Sequence, residues 1–208
     1  MTNTSANSAG YLPPIASVGT YDNVFVAFLQ SVVAGITALD PTLVRPRWQT
    51  TPPNQPAASV DWASVGVTDE RPLALRPVTW HDPNGEAGDG ADVIERTVRD
   101  SILVSFYGPD AWGNSSLLAD GIAIEQNRYA MRTANVVLQD IGRRTYIPEL
   151  VNNNWLPRVD MVLIFDRTVQ RTYPIMNLLS AHGTIVTAPT GNPTAVTTTD
   201  FDTLDDSD

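Results

Sequence analysis

The stretch SFYGPDAWGNSSLLADGI, residues 105–122, changes character at its middle. Its opening finishes an apolar strand. Its second half has the spacing of a helix, with Leu117, Leu118, Ile122 and, just beyond the stretch, Ile124 as packing positions. Tyr107-Gly108-Pro109-Asp110 forms the corner. Gly108 admits a backbone angle or a close approach that a side chain forbids. Pro109 suits a turn or the first turn of a helix, and Asp110 is placed to cap that helix or face its dipole. A phosphate-binding loop needs more glycines and a Lys or Ser/Thr at set spacing, and the corner lacks them. It reads as a device for turning a strand into a helix, so the chain is of a mixed class.

The flanks extend this reading. Upstream, DVIERTVRDSILVSFYG (residues 92–108) alternates and then becomes almost wholly apolar, as a central strand does. Downstream, a helix is expected over residues 110–131, a strand over NVVLQDIGRRTYI (135–147) and a loop over 149–157. RVDMVLIFDRTVQRTY (158–173) is the clearest strand. Val159, Met161, Leu163 and Phe165 share one face, and Asp160, Val162, Ile164 and Asp166 the other. A further strand, with or without a short helix before it, is expected in residues 174–186.

Towards the N-terminus, TYDNVFVAFLQSVVAGITAL (20–39) is an amphipathic helix. Val24, Phe25, Phe28, Leu29, Val32, Val33 and Ile36 make its apolar stripe. Thr20 or Asp22 suits its cap, and Asp40-Pro41 stops it. Residues 41–58 are proline-rich and read as a connection. SVDWASVGV (59–67) and LALRPVTWHD (73–82) read as strands, the second an edge because it contains Pro77. Strands run together rather than alternating with helices. The expected fold is therefore α+β, a mostly antiparallel sheet packed against two main helices. The expected organisation is a flexible arm over residues 1–19, a single α+β domain over 20–188, and an acidic Thr/Asp-rich tail over 189–208. Five acidic residues fall in the last nine positions, and the tail reads as disordered unless a partner orders it.

Composition narrows the function classes. The chain has 208 residues, a formal charge of -10, no Cys and no Lys, so every one of its 13 basic residues is Arg. Without cysteine there is no disulfide framework and no thiolate metal site. An acidic chain is poorly suited to gripping a nucleic-acid backbone. No apolar run approaches membrane-spanning length, and the first residues do not read as a secretion signal. In HDPNGEAGDGAD (81–92), Asp82, Asn84 and Glu86 alternate as in a calcium loop. Ala87 and Val93 stand where the turn glycine and the bidentate acid belong, so a hairpin loop is the better reading. His81 and His182 are far apart and have no i, i+4 partner, which disfavours zinc. Ser115-Ser116 has no nucleophile-elbow frame. Catalysis has no positive support, and no cofactor is expected.

The corner, followed by RRTYIPELVNNNWLPRVDMVLIFDRTVQRTYPIMNL (143–178), resembles the phage tail terminator family, also called neck terminator. The resemblance runs from about residue 60 to residue 186. Tyr107-Gly108-Pro109-Asp110-Ala111 and Arg158-Val159-Asp160 carry it most clearly. It implies a virion subunit that assembles into a ring, usually of six. The ring caps the head-proximal end of the tail tube, ends tube polymerisation and joins the head connector, without catalysis. The implied partners are further copies of itself, the tail tube protein and a head-connector or adaptor protein. Genomic DNA would only pass through the lumen, and no membrane is involved. The implied location is the virion, after assembly in the host cytoplasm. Arg143, Arg144, Arg158, Arg167 and Arg171 are the candidate subunit-contact residues, because a guanidinium pairs bidentately with carboxylates. The competing readings are another neck, tail-completion or connector-adaptor subunit, and a small-molecule-binding domain or enzyme.

Overall fold

A computed structural model describes residues 11–19, 23–74, 76–82, 90–151, 153–175, 181–187 and 197–203. The architecture is α+β, with three helices and strands as the larger part. The strands in chain order are β1 (Ala16–Val18), β2 (Val44–Pro46), β3 (Trp62–Pro72), β4 (Val78–Asp82), β5 (Ala91–Tyr107), β6 (Val136–Tyr146), β7 (Glu149–Val151), β8 (Asn154–Leu156), β9 (Arg158–Pro174), β10 (Ala181–Thr187) and β11 (Thr197–Thr203). The helices are α1 (Asn23–Thr37), α2 (Ala111–Gly121) and α3 (Glu125–Thr133).

Seven strands form one sheet with the order β1-β9-β5-β3-β2; β4 joins β5, and β6 joins β9. β3 is antiparallel to β5 and β6 to β9, whereas the short β2 is parallel to β3. Side-chain pairs link Glu95 to Gln170, Arg99 to Asp166 and Ser105 to Asp160. Numbers rise along β5 as they fall along β9, so these two long strands also run in opposite directions. β6 pairs only with β9 among the described residues, and its register slips twice, between Leu138 and Asp140 and between Ile141 and Arg144. Each slip inserts one extra residue into β6, which is a β-bulge.

The chain divides into two compact units. The first comprises residues 17–78 and 95–170, and the second residues 1–16, 79–94 and 171–208. Strands β5 and β9 contribute residues to both. The first unit holds 14 acidic residues and 12 arginines, a balance of -2. The second holds nine acidic residues and one arginine, a balance of -8.

The core of the first unit follows from alternation. Ile102, Val104 and Phe106 of β5 and Val159, Met161, Leu163 and Phe165 of β9 are all buried. They meet Phe25, Leu29 and Val33 of α1, Leu118 of α2 and Met131 of α3. Each such side chain contributes about 1.5–3 kcal/mol when fully withdrawn from water. The apolar stripe of α1 is as expected except for Val24, which is 74% exposed; residues 20–22, where its cap was sought, lie outside the described residues. No helix among the described residues is long and apolar enough to cross a membrane.

Four local expectations are corrected. The helix expected over 110–131 is two helices. α2 ends at Gly121, where an added Cβ would lie 2.4 Å from Cγ2 of Ile36, so that turn is pressed against α1. The loop expected over 149–157 contains the β7–β8 hairpin, turned through Asn153 at φ +64°. The proline-rich connection carries a 3-10 turn at Pro41–Leu43 and then β2. Residues 197–203, assigned to a disordered tail, form β11 antiparallel to β10; a Thr-rich run suits a strand because threonine is β-branched. The calcium-like loop over 83–89 lies outside the described residues.

Candidate functional site

The Tyr107–Asp110 corner is structural in its geometry. Gly108 has φ +108°, and a Cβ there would lie 2.5 Å from Oδ1 of Asp61. That same oxygen accepts the backbone N–H of Asp110 at 2.8 Å. Asp110 occupies the cap position of α2, yet its side chain makes no capping hydrogen bond. The corner is thus fixed from outside, by Asp61. Among the described residues, no three His, Asp or Glu side chains are grouped to hold a metal.

Arginine chemistry is concentrated at two points along β9. At its start, Arg158 donates to both oxygens of Asp160, at 2.7 Å from Nε and from Nη2. Its Nη1 donates to Glu149 of the hairpin, and its guanidinium lies 5.6 Å from the Tyr107 ring centre. Asp160 also accepts from the Ser105 hydroxyl, which in turn accepts from Arg47. Burial acts to raise the Asp160 carboxyl, but the hydrogen bonds from Arg158 and Ser105 outweigh it and hold the group below the ordinary carboxylate range. The bonds to Asp160 raise Arg158 further above its already high value.

Further along β9, Arg167 is only 3% exposed. It donates from Nε to Asp100, from Nη2 to Glu70 and from Nη1 to the Gly19 carbonyl, and lies over the Phe25 ring at 4.5 Å. Asp100 is wholly buried, and its Oδ1 has no hydrogen-bond partner. Burial therefore pushes the Asp100 carboxyl up, and the Arg167 bond only partly opposes this. Between the two points, Arg99 grips Asp166 in a two-bonded fork, at 2.6 and 2.8 Å.

The other arginines singled out from the sequence lie elsewhere. Arg144 bonds the Ser116 hydroxyl and lies 4.9 Å from the ring centre of half-exposed Trp112. Arg143 is exposed and Arg171 half-buried, and neither has an ion-pair partner among the described residues. The five are therefore not one site. Two are bound into intrachain networks, one rests on a helix, and two have no ion-pair partner among the described residues.

The surface features that reading the sequence passed over are aromatic. Trp48, Trp112, Tyr129, Tyr146 and Trp155 are each at least half exposed, as is Leu150. Leu150 and Trp155 are register partners in the β7–β8 hairpin, so they stand side by side. A depression of about 310 Å³ opens where α1 begins, walled by Val24, Phe25, Phe28, Val136 and Arg167 among others. A second depression, of about 260 Å³, lies between α1 and α3 and shares Phe28 with the first.

A family model described as phage neck terminator protein matches residues 23–189 of the chain. No curated protein matches it.

Proposed function

The chain belongs to the phage neck terminator protein family, and from that premise we propose that it forms a ring capping the head-proximal end of a phage tail tube. Its role is structural, in the neck or tail of the particle. In the proposed assembly, copies close into a ring of six that ends tube polymerisation and presents its other face to the head-connector or adaptor protein. Assembly takes place in the host cytoplasm. Arg143 and Arg171 are the arginines open to carboxylates on a neighbouring copy, because Arg158 and Arg167 already spend their donors within the chain.

One observation carries this reading beyond the family match. The described surface exposes large aromatic side chains in several places, Trp155 at 68% and Tyr129 at 67% among them. Buried aromatic anchors are what protein interfaces use most. The acidic balance supports passage of genomic DNA without adhesion, since backbone binding depends on neutralising phosphates. A ring whose channel wall is basic would contradict that part.

Electron microscopy of the purified protein and of virions tests the whole. The expected result is an annular particle with sixfold symmetry, located between tail tube and connector. A chain that stays monomeric and is found outside the neck would overturn it.

A further inference from the structure

The β6–β9 ribbon carries unlike surfaces at its two ends. These two strands are paired from Val136 with Arg167 at one end to Tyr146 with Val159 at the other. Eight residue steps along β9 separate the ends, a span of about 26 Å. The β7–β8 hairpin follows the Tyr146 end, where Ile147 N–H donates to the Arg158 carbonyl at 2.8 Å; its Val151, Asn154 and Leu156 border residues 55–58, while Leu150 and Trp155 stay exposed. The depression walled by Val24, Phe25, Phe28 and Val136 lies at the opposite end.

The hairpin has strands of three residues and forms a two-stranded sheet of its own. A ribbon that short is not stable by itself in water. It nevertheless holds Leu150 at 59% exposure opposite Trp155 at 68%. Its one charged residue, Glu149, is tied to Arg158. The depression matches it in electrical character. Its one charged wall residue is Arg167, whose charge is already met by Asp100 and Glu70. An apolar knob and an apolar socket, neither with an unpaired charge among the described residues, thus lie at opposite ends of one ribbon. Each is unlike the other, so the pair joins head to tail, which is the kind of contact that closes a ring.

We infer that the Leu150–Trp155 knob of one copy seats in the Val24–Phe28–Val136 socket of the next copy of this chain. The inference rests on the ring reading above and adds the two surfaces that meet. Desolvating the indole in a pocket gives the join its strength, as at interface hot spots. The socket has the volume to take a ring system, and the exposed Val24 at its rim supplies apolar contact.

The absence of cysteine makes the test clean. The full-length chain is made as Leu150→Cys, as Val24→Cys and as the double variant, and each is oxidised at a concentration where wild type associates. The double variant is expected to give a ladder of disulfide-linked multimers ending in a closed ring. The two single variants, mixed, should give linked dimers and nothing larger. In parallel, Trp155→Ser should weaken association tenfold or more at unchanged melting temperature, since the indole is exposed in the free subunit. Rings that persist in Trp155→Ser without cross-links in the double variant overturn the knob and leave the ring reading intact. A wild-type chain that stays monomeric at every concentration, with no cross-link, overturns both.

Discussion

Arg158 and Arg167 lie nine positions apart on the same strand, and each pairs with an aspartate, yet the two aspartates are driven in opposite directions. Asp160 is held below the ordinary carboxylate value and Asp100 above it. The chemistry of the partner is the same. What differs is how deeply each carboxylate is buried, the number of bonds it accepts, and the like charge of Glu70, which shares Arg167 with Asp100 and pushes its carboxyl up further. Asp160 has both oxygens bonded by Arg158 and a third bond from Ser105. Asp100 is wholly buried with one oxygen unmatched. An ion pair inside a protein therefore cannot be valued from its two members alone; the unspent lone pairs decide.

Removing Arg167 is the harshest way to break this comparison. Arg167→Met strands the Asp100 carboxylate in the core, and the expected loss is about 3–5 kcal/mol, or roughly 10 °C in melting temperature for a chain of this size. The double variant Arg167→Met/Asp100→Leu should recover much of that loss, because the one carboxylate it leaves without Arg167, that of Glu70, is 43% exposed and hydrated. Thermal unfolding followed by circular dichroism separates the two, and equal losses would show that the pair is not coupled. Arg158→Met is expected to cost less, about 1.5–3 kcal/mol, since Asp160 keeps its Ser105 bond and lies closer to water.

The sign of the pH response sharpens the contrast. Asp160 binds its proton less readily folded than unfolded, so its stabilising effect is present above pH 3.8 and fades as pH falls through its lowered value. Asp160→Asn should accordingly lose ground against wild type as pH rises from 2 to about 4. Asp100 binds its proton more readily folded, so its contribution is fullest below pH 3.8 and is lost as pH rises through its raised value. Asp100→Asn should gain on wild type as pH rises above 3.8. Denaturant titrations at stepped pH read both slopes, and slopes of the same sign would refute the contrast. The smallest effect is expected at Arg143, which is exposed and has no ion-pair partner among the described residues. Arg143→Ser should alter subunit stability by no more than about 0.5 kcal/mol, while weakening assembly if it meets a carboxylate on a neighbour.

Much of the scaffold was legible because burial follows alternation. Val159, Met161, Leu163 and Phe165 were placed on one face by spacing, and all four are buried. The same spacing held a signal that was passed over. Arg167 continues their phase between Phe165 and Val169, and Asp100 falls in phase with Val98 and Ile102, so each strand places one charged residue within the run of its phase that is buried. Two opposite charges, each on an inward phase, ask to be paired across the sheet. What could not be read is equally physical. The break after α2 depends on Ile36 pressing on Gly121, a contact across 85 positions of chain with no local trace. The three-residue strands of the β7–β8 hairpin are too short to show a period, and the Asn run between them has the composition of a loop. The knob was hidden for that reason, although Leu150 and Trp155 stood in plain view.

The two slips in β6 bear on a hazard that any long strand with a single partner faces. β6 is eleven residues long and has β9 as its one partner among the described residues. Left straight, its outer margin would be a template on which another chain could zip, and growth by zipping has no end point. Two surplus residues and the charges of Asp140 and Arg143 spoil that template. Straightening β6 by deleting both surplus residues should send the protein into fibres, the runaway growth that a bulged margin holds off.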